Sequence, residues 1–210
     1  MLVESFPVGA FQCNCTVLAC ERTHQAVIVD PGDEAARILD VVRSNGLEVV
    51  ALLHTHAHLD HVGATGELQR ETGAEIGLHE GDRWLYDNVP LQGQMFGFSA
   101  TAPPPVDRWL EHGEVVTWGD TGRFEVIHTP GHTPGSLCFH APELDAVFTG
   151  DTLFQRSIGR TDLWGGSHSG ILESIRERLF PLAGDTVVIP GHGPATSIGD
   201  ERIGNPFVNE

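Results

Sequence analysis

The chain has 210 residues, 40% of them hydrophobic and 20% charged, an ordinary composition for a folded chain with a sizeable core. Acidic residues outnumber basic ones 29 to 12, giving a formal charge of −17, and all twelve bases are arginine. Without lysine there is no Schiff-base or pyridoxal-phosphate anchor and no P-loop ammonium. The acidic balance also argues against a nucleic-acid partner.

Taken in chain order, the opening MLVESFPVGAF lacks a basic n-region, carries Glu4 early and has no long apolar stretch. Neither a signal peptide nor a membrane-spanning helix is expected, and the cytoplasm is the expected compartment. Strand-like runs follow at Leu2–Val8, Cys15–Cys20, Gln25–Val29 and Glu48–Leu53. Further along come Val115–Trp118, Phe124–His128, Leu137–His140, Ala146–Thr149 and Thr186–Ile189, each bounded by Gly, Pro or Asp. Asp33 is the expected N-cap of a helix over Glu34–Ser44, with Ile38, Val41 and Val42 on one face and Gly46 as its stop. Further helices are expected over Gly63–Glu71, Gly81–Tyr86 and Ile171–Leu179, the last just before Pro181. Val89–Pro105 reads as a long surface loop. The four cysteines (Cys13, Cys15, Cys20, Cys138) read as buried small hydrophobes in a reducing compartment. The pattern is a mixed α/β sandwich with helices outside, one domain over residues 1–210.

The chemistry is written in His-Thr-His-Ala-His-Leu-Asp-His, residues 54–61, which contains H-x-H-x-D-H as His56, His58, Asp60 and His61. In an extended chain residues two apart point the same way, so His56 and His58 can face one ion together. Asp60 and His61 lie where the chain turns into a helix and can serve a neighbouring ion. Imidazole and carboxylate donors without thiolates suit a catalytic Zn²⁺, Fe or Mn site better than a structural one. Three later strands each end in a tight turn carrying a further donor: His132 in Thr-Pro-Gly-His, Asp151 in Gly-Asp, and His192 in Pro-Gly-His-Gly. Five histidines and two aspartates are the count that a pair of divalent ions needs.

This constellation resembles the metallo-β-lactamase superfamily over nearly the whole chain. Its motifs are H-x-H-x-D-H, a later His, a later Asp and a final His. The stretches Gly-Asp-Thr-Leu-Phe (150–154), Ser-Ile-Gly-Arg-Thr-Asp (157–162), Ile-Pro-Gly-His-Gly-Pro (189–194) and Glu-Arg-Ile-Gly-Asn-Pro-Phe (201–207) are similar to single-domain glyoxalase II-like hydrolases. The resemblance implies an αββα sandwich with the metals at one edge between the sheets. It implies His56, His58 and His132 on one metal, Asp60, His61 and His192 on the other, and Asp151 bridging. It also implies that Asp30, in Val-Asp-Pro-Gly, supports the site from behind; a turn Asp before Pro is the alternative reading.

The expected reaction is hydrolysis of S-D-lactoylglutathione or another S-acyl thiol. A bridging water, its pKa lowered toward ~7, would be the nucleophile, with Asp60 and Asp151 as ionised catalytic ligands. The leaving thiolate, with a pKa near ~8.5, departs with little acid help. Arg160 and Arg156 are candidates to hold a substrate carboxylate, or are solvated surface charges. Phe154 is a candidate substrate contact. Met95, Phe96 and Phe98 either wall the site or pack plainly. Two other readings stay open: a mononuclear iron persulfide dioxygenase with His56, His132 and Asp151 as a facial triad, and a non-catalytic metal-binding module. An exported β-lactamase would carry a signal peptide, and a nuclease of this fold a basic surface.

Overall fold

The Val-, Ile- and Leu-rich runs pair into two six-stranded sheets in the computed structural model, which describes residues 1–209. The first sheet holds β1 (Leu2–Val8), β2 (Cys13–Ala19), β3 (Gln25–Val29), β4 (Glu48–Leu53), β5 (Glu75–Leu78) and β6 (Arg108–Trp109), in that spatial order. Its first three strands are antiparallel and the rest parallel. Parallel strands need crossovers, and these carry α1 (Ala35–Ser44), α2 (Leu59–Val62), α3 (Thr65–Thr72), α4 (Arg83–Asp87) and α5 (Val89–Phe96).

The second sheet holds β7 (Val115–Trp118), β8 (Gly122–His128), β9 (Leu137–Ala141) and β10 (Ala146–Gly150) as an antiparallel meander. A small hairpin of β11 (Leu153–Phe154) and β12 (Ser157–Ile158) and the helix α6 (His168–Ser174) come next. Then β13 (Val187–Pro190) joins parallel to β10, β14 (Thr196–Ser197) closes that edge, and α7 (Ile198–Gly204) follows. Helices cover both outer faces, so the arrangement is an αββα sandwich.

Apolar periodicity explains the layers. Between the sheets, Leu18, Val27 and Leu53 meet Trp118, Phe124 and Phe139. On the outside of the first sheet, Ile38, Leu39 and Val42 of α1 and Leu68 of α3 pack on Ile28 and Leu52. On the outside of the second, Ile171, Ile175 and Leu179 cover Val147 and Val188, as their spacing of four predicts. The last two belong to a π-helical turn, Ile175–Leu179, that continues α6.

Several local expectations are corrected. Helix α1 begins one residue late, with Glu34 as N-cap in the left-handed region (φ 53°) and no side-chain cap. Asp33 Oδ1 instead accepts from the Glu34 N–H at 2.7 Å. Leu39 takes the buried place expected for Val41, which is half-buried. The stretch expected as a loop from Val89 opens as α5, with Pro90 in its first turn, where a missing N–H costs little. Strands β5, β6, β11, β12 and β14 escaped the sequence reading because each is two to four residues long and too short to show a period. All four cysteines are free and buried. Among the described residues no helix is long and apolar enough to cross a membrane.

Phe124 is fully buried, its ring centroid 4.8 Å from Trp118, 5.4 Å from Phe139 and 5.5 Å from Phe148. Phe124→Ala is expected to lower stability by about 3–5 kcal/mol, read as a lower urea midpoint at unchanged slope. A loss below about 1 kcal/mol would contradict a core centred between the sheets.

Candidate metal centre

Strand direction gathers the donors. In the first sheet β3 and β4 run parallel, and they end at Asp30 and at the His54–His61 loop. In the second, β8 and β10 share one direction across the antiparallel β9, and β13 is parallel to β10. Their ends lead to His132, Asp151 and His192. Five strand ends thus open onto one edge of the sandwich, each followed by a turn that projects a donor.

Three imidazole nitrogens form a nearly equilateral triangle. His56 Nε2 lies 3.1 Å from His58 Nδ1 and 3.2 Å from His132 Nε2, and the latter two are 2.9 Å apart. Three nitrogens each about 2.0–2.1 Å from one tetrahedral ion stand about 3.3 Å apart. A second group lies beside it. His192 Nε2 is 3.3 Å from His61 Nε2 and 3.2 Å from Asp60 Oδ2, and His61 Nε2 is 3.8 Å from that same oxygen. Asp151 sits between the groups, with Oδ2 3.6 Å from His132 Nε2 and Oδ1 3.5 Å from His61 Nε2 and 3.6 Å from His192 Nε2.

Hydrogen bonds behind the rings fix which nitrogen faces inward. His132 Nδ1 is 2.7 Å from the Arg160 carbonyl, and His192 Nδ1 is 3.3 Å from the Gln12 carbonyl. A carbonyl accepts only, so each Nδ1 carries the hydrogen and each Nε2 lone pair points at the cluster. His61 Nδ1 lies 3.0 Å from Asp30 Oδ2. The Thr55 hydroxyl donates to that same oxygen at 2.6 Å, which leaves its own oxygen to accept from His56 Nδ1 at 3.1 Å. Asp30 Oδ1 accepts from the Thr55 N–H at 2.7 Å. Buried and held at φ 50°, in a region costing on the order of 1 kcal/mol, Asp30 is a support for the cluster and not merely a turn residue.

The donor set fits divalent ions. Asp30, Asp60 and Asp151 crowd together, and among the described residues no arginine pairs with any of them. Asp151 Oδ1 is buried with no hydrogen-bond partner. Burial, reinforced by neighbouring imidazoles, holds His56 and His58 neutral, well below the usual histidine range. Burial opposes charge on His61 and His192 too, but Cys13 and the carboxylates around His61, and the carboxylates around His192, outweigh it and raise both. The cluster therefore offers neutral nitrogens on one side and a strongly cation-attracting pocket on the other. Gly191 is required by this crowding, since a Cβ there would overlap Asp151 Oδ1.

The structure brings His56, His58, Asp60, His61, His132, Asp151 and His192 together, with Asp30 beneath. It places the three candidate substrate contacts differently. Arg160 lines a cleft of about 170 Å³ over the cluster, but its guanidinium grips Asp162 with two bonds of 2.7 and 2.8 Å. Arg156 is committed to α7: its N–H donates to Glu201 Oε2 at 2.8 Å and its guanidinium to the Asp200 carbonyl. Phe154 stands on the β11–β12 hairpin with its ring 6.5 Å from that of His192. Met95, Phe96 and Phe98 are exposed, which corrects the reading of plain packing. Of the histidines outside the set, His54 is a core residue held by the Thr65 hydroxyl, and His128 stacks on His79.

Two further residues escaped the sequence reading. Asp82, fully buried, accepts from Ala57 N–H at 3.0 Å, Thr133 Oγ1 at 2.8 Å and Gly135 N–H at 2.6 Å. It ties the first histidine loop to the His132 loop. Gln92 of α5 accepts from the Leu59 N–H and donates to the Ala57 carbonyl, clamping the backbone on both sides of His58. Both act on backbone far away in sequence, and no local motif marks them. Asp82→Ala leaves the buried N–H groups of Ala57 and Gly135 unpaired at about 1–3 kcal/mol each. It is expected to weaken metal binding by about 10–100-fold, measured by competition with a chromogenic chelator. Unchanged affinity would refute its bridging role.

Comparison with known proteins agrees with this geometry. The family model of the metallo-beta-lactamase superfamily matches residues 8–192. Hydroxyacylglutathione hydrolase GloC of Haemophilus influenzae is 43% identical, over 100% of this chain and 99% of that protein. The BLEG-1 B3 metallo-beta-lactamase superposes with a TM-score of 0.92 at 37% identity, covering 100% of both chains. TTHA1623, solved in a di-iron-bound form, gives 0.89 at 38% identity, covering 98% of this chain and 100% of that one. With the fold, the ligand cluster and the sequence match in agreement, this chain belongs to the metallo-beta-lactamase superfamily.

Proposed function

We propose that this protein is a dinuclear metal-dependent hydrolase of thioesters, glyoxalase II-like, acting on S-D-lactoylglutathione or another S-acyl thiol. His56, His58 and His132 would hold one ion and Asp60, His61 and His192 the other, with Asp151 placed between the two groups. Zinc is the ion we assign, and iron, carried by one relative, or manganese suits the same donors. When bound, such a pair supplies Lewis acidity and an activated water at neutral pH.

The observation that carries the reading is the make-up of the cleft. Its titratable lining residues are His58, Asp60, His132 and Asp151, all of them in the ligand set, together with the paired Arg160. None of the four is free to act as a general base, and none stands over the cleft as a general acid. Such a cleft suits a leaving group that departs without a proton donor, and a thiolate with a pKa near ~8.5 does so at neutral pH. The chain's own residues position: Asp30 and the Arg160 carbonyl orient His61 and His132, and Gln92 fixes the loop that carries His58 and Asp60. The intact second group of donors, spaced like the first, favours two ions over a single iron.

Metal-loaded protein is expected to hydrolyse S-acyl thiols, to lose turnover on chelation and to regain it with Zn²⁺, Mn²⁺ or Fe²⁺. Asp151→Ala is expected to lower kcat by more than about 100-fold, beyond the range for residues behind the ligands. A metal-replete sample without turnover on any S-acyl thiol would overturn the proposal. Oxygen consumption with glutathione persulfide would install the iron dioxygenase in its place.

A further inference from the structure

The cleft over the cluster does not end at the metal ligands. At Phe11, Leu59 and Asp60 it meets a second cleft of about 200 Å³, walled by Val8, Phe98 and Ala100. Phe11 lines both, its ring centroid 6.1 Å from Phe96 and 5.3 Å from Phe98. These three rings are 43–44% exposed, and Met95 beside them is 60% exposed. In a chain of net charge −17 an aromatic cluster left in water beside a reaction centre is an apolar binding surface in search of an occupant.

Charge sets what that occupant is. The chain has no lysine, and each arginine already has a partner. The sole arginine of the two linings, Arg160, is spanned by Asp162, and the second cleft adds the acidic Asp33 instead. Beyond the metal donors, a thiol carrying carboxylates would meet Asp33 in the second cleft and an arginine already held by Asp162. Resting on the thioester reading above, we infer that the substrate carries an uncharged apolar substituent, aryl or alkyl, seated past Phe11 against Phe98. Phe11 and Phe98 are then the specificity-determining residues, and a glutathione-type polyanionic thiol is not the preferred leaving group.

Two substrate series test this with metal-loaded protein: one acyl group on methyl, benzyl and glutathionyl thiols, and acetyl against phenylacetyl on one thiol. In at least one series the aromatic member is expected to exceed its methyl counterpart by about tenfold in kcat/KM, with the glutathionyl ester no better than methyl. Phe98→Ala, at an exposed position, is expected to collapse that ratio to about twofold or less. Binding of a non-hydrolysable benzyl thioether, followed by calorimetry, is expected to weaken about tenfold in the same variant. Preference for the glutathionyl ester, or equal rates across both series with no thioether binding, would overturn the inference. If the thioether binds and Phe98→Ala loosens it, while no thioester is hydrolysed, the apolar site stands and the thioesterase reading falls.

Discussion

Three carboxylates share a buried edge of the sandwich with five imidazoles, and among the described residues no guanidinium or ammonium pairs with them. Uncompensated charge at such depth costs several kcal/mol per group even after relaxation. Proteins elsewhere settle such a cluster with arginine. Here the arginines pair with surface acids and with carbonyls at helix and strand ends, and Arg160, which lines the cleft over the cluster, is held by Asp162. Protonation of His61 and His192 answers part of that charge, and cations from solution can answer the rest, since the nitrogen triangle with its neighbouring histidine–aspartate group has the spacing to take them.

The fold follows from the need to deliver those donors from distant parts of the sequence. Two sheets each present parallel strand ends at one edge, and a turn after each strand carries one or more ligands. The histidine loop and the His132 loop come from different sheets, and Asp82 is what locks them together. Asp30 does the same for His61 and, through Thr55, for His56. Rigidity in the outer ring of hydrogen bonds would therefore matter to a bound metal as much as the donors themselves.

The donor cluster was legible because it is dense and local: four of the seven donors fall within six residues, and the others sit in tight turns after clear strands. The layers were legible because α1 and α6 have clean apolar faces. Helix α5 was not, since Pro90 and Gly93 read as breakers, although the burial of Gln92 holds the helix in place. Asp82 and Gln92 were silent because their partners lie 25 or more residues away in the chain or on bare backbone. Arg156 and Arg160 drew notice by their closeness to Asp151 in sequence. Sequence cannot reveal that Asp162 and α7 already occupy them.

The exposed aromatic rings give the account its functional edge. A dinuclear centre polarises any carbonyl presented to it, so selectivity must come from the walls. Everything nonetheless depends on there being two ions. The direct measurement is calorimetric titration of zinc into metal-free protein, alongside His192→Ala. Two ions are expected to bind per chain and one in the variant. Saturation of the unaltered chain at a single ion would contradict a two-ion centre.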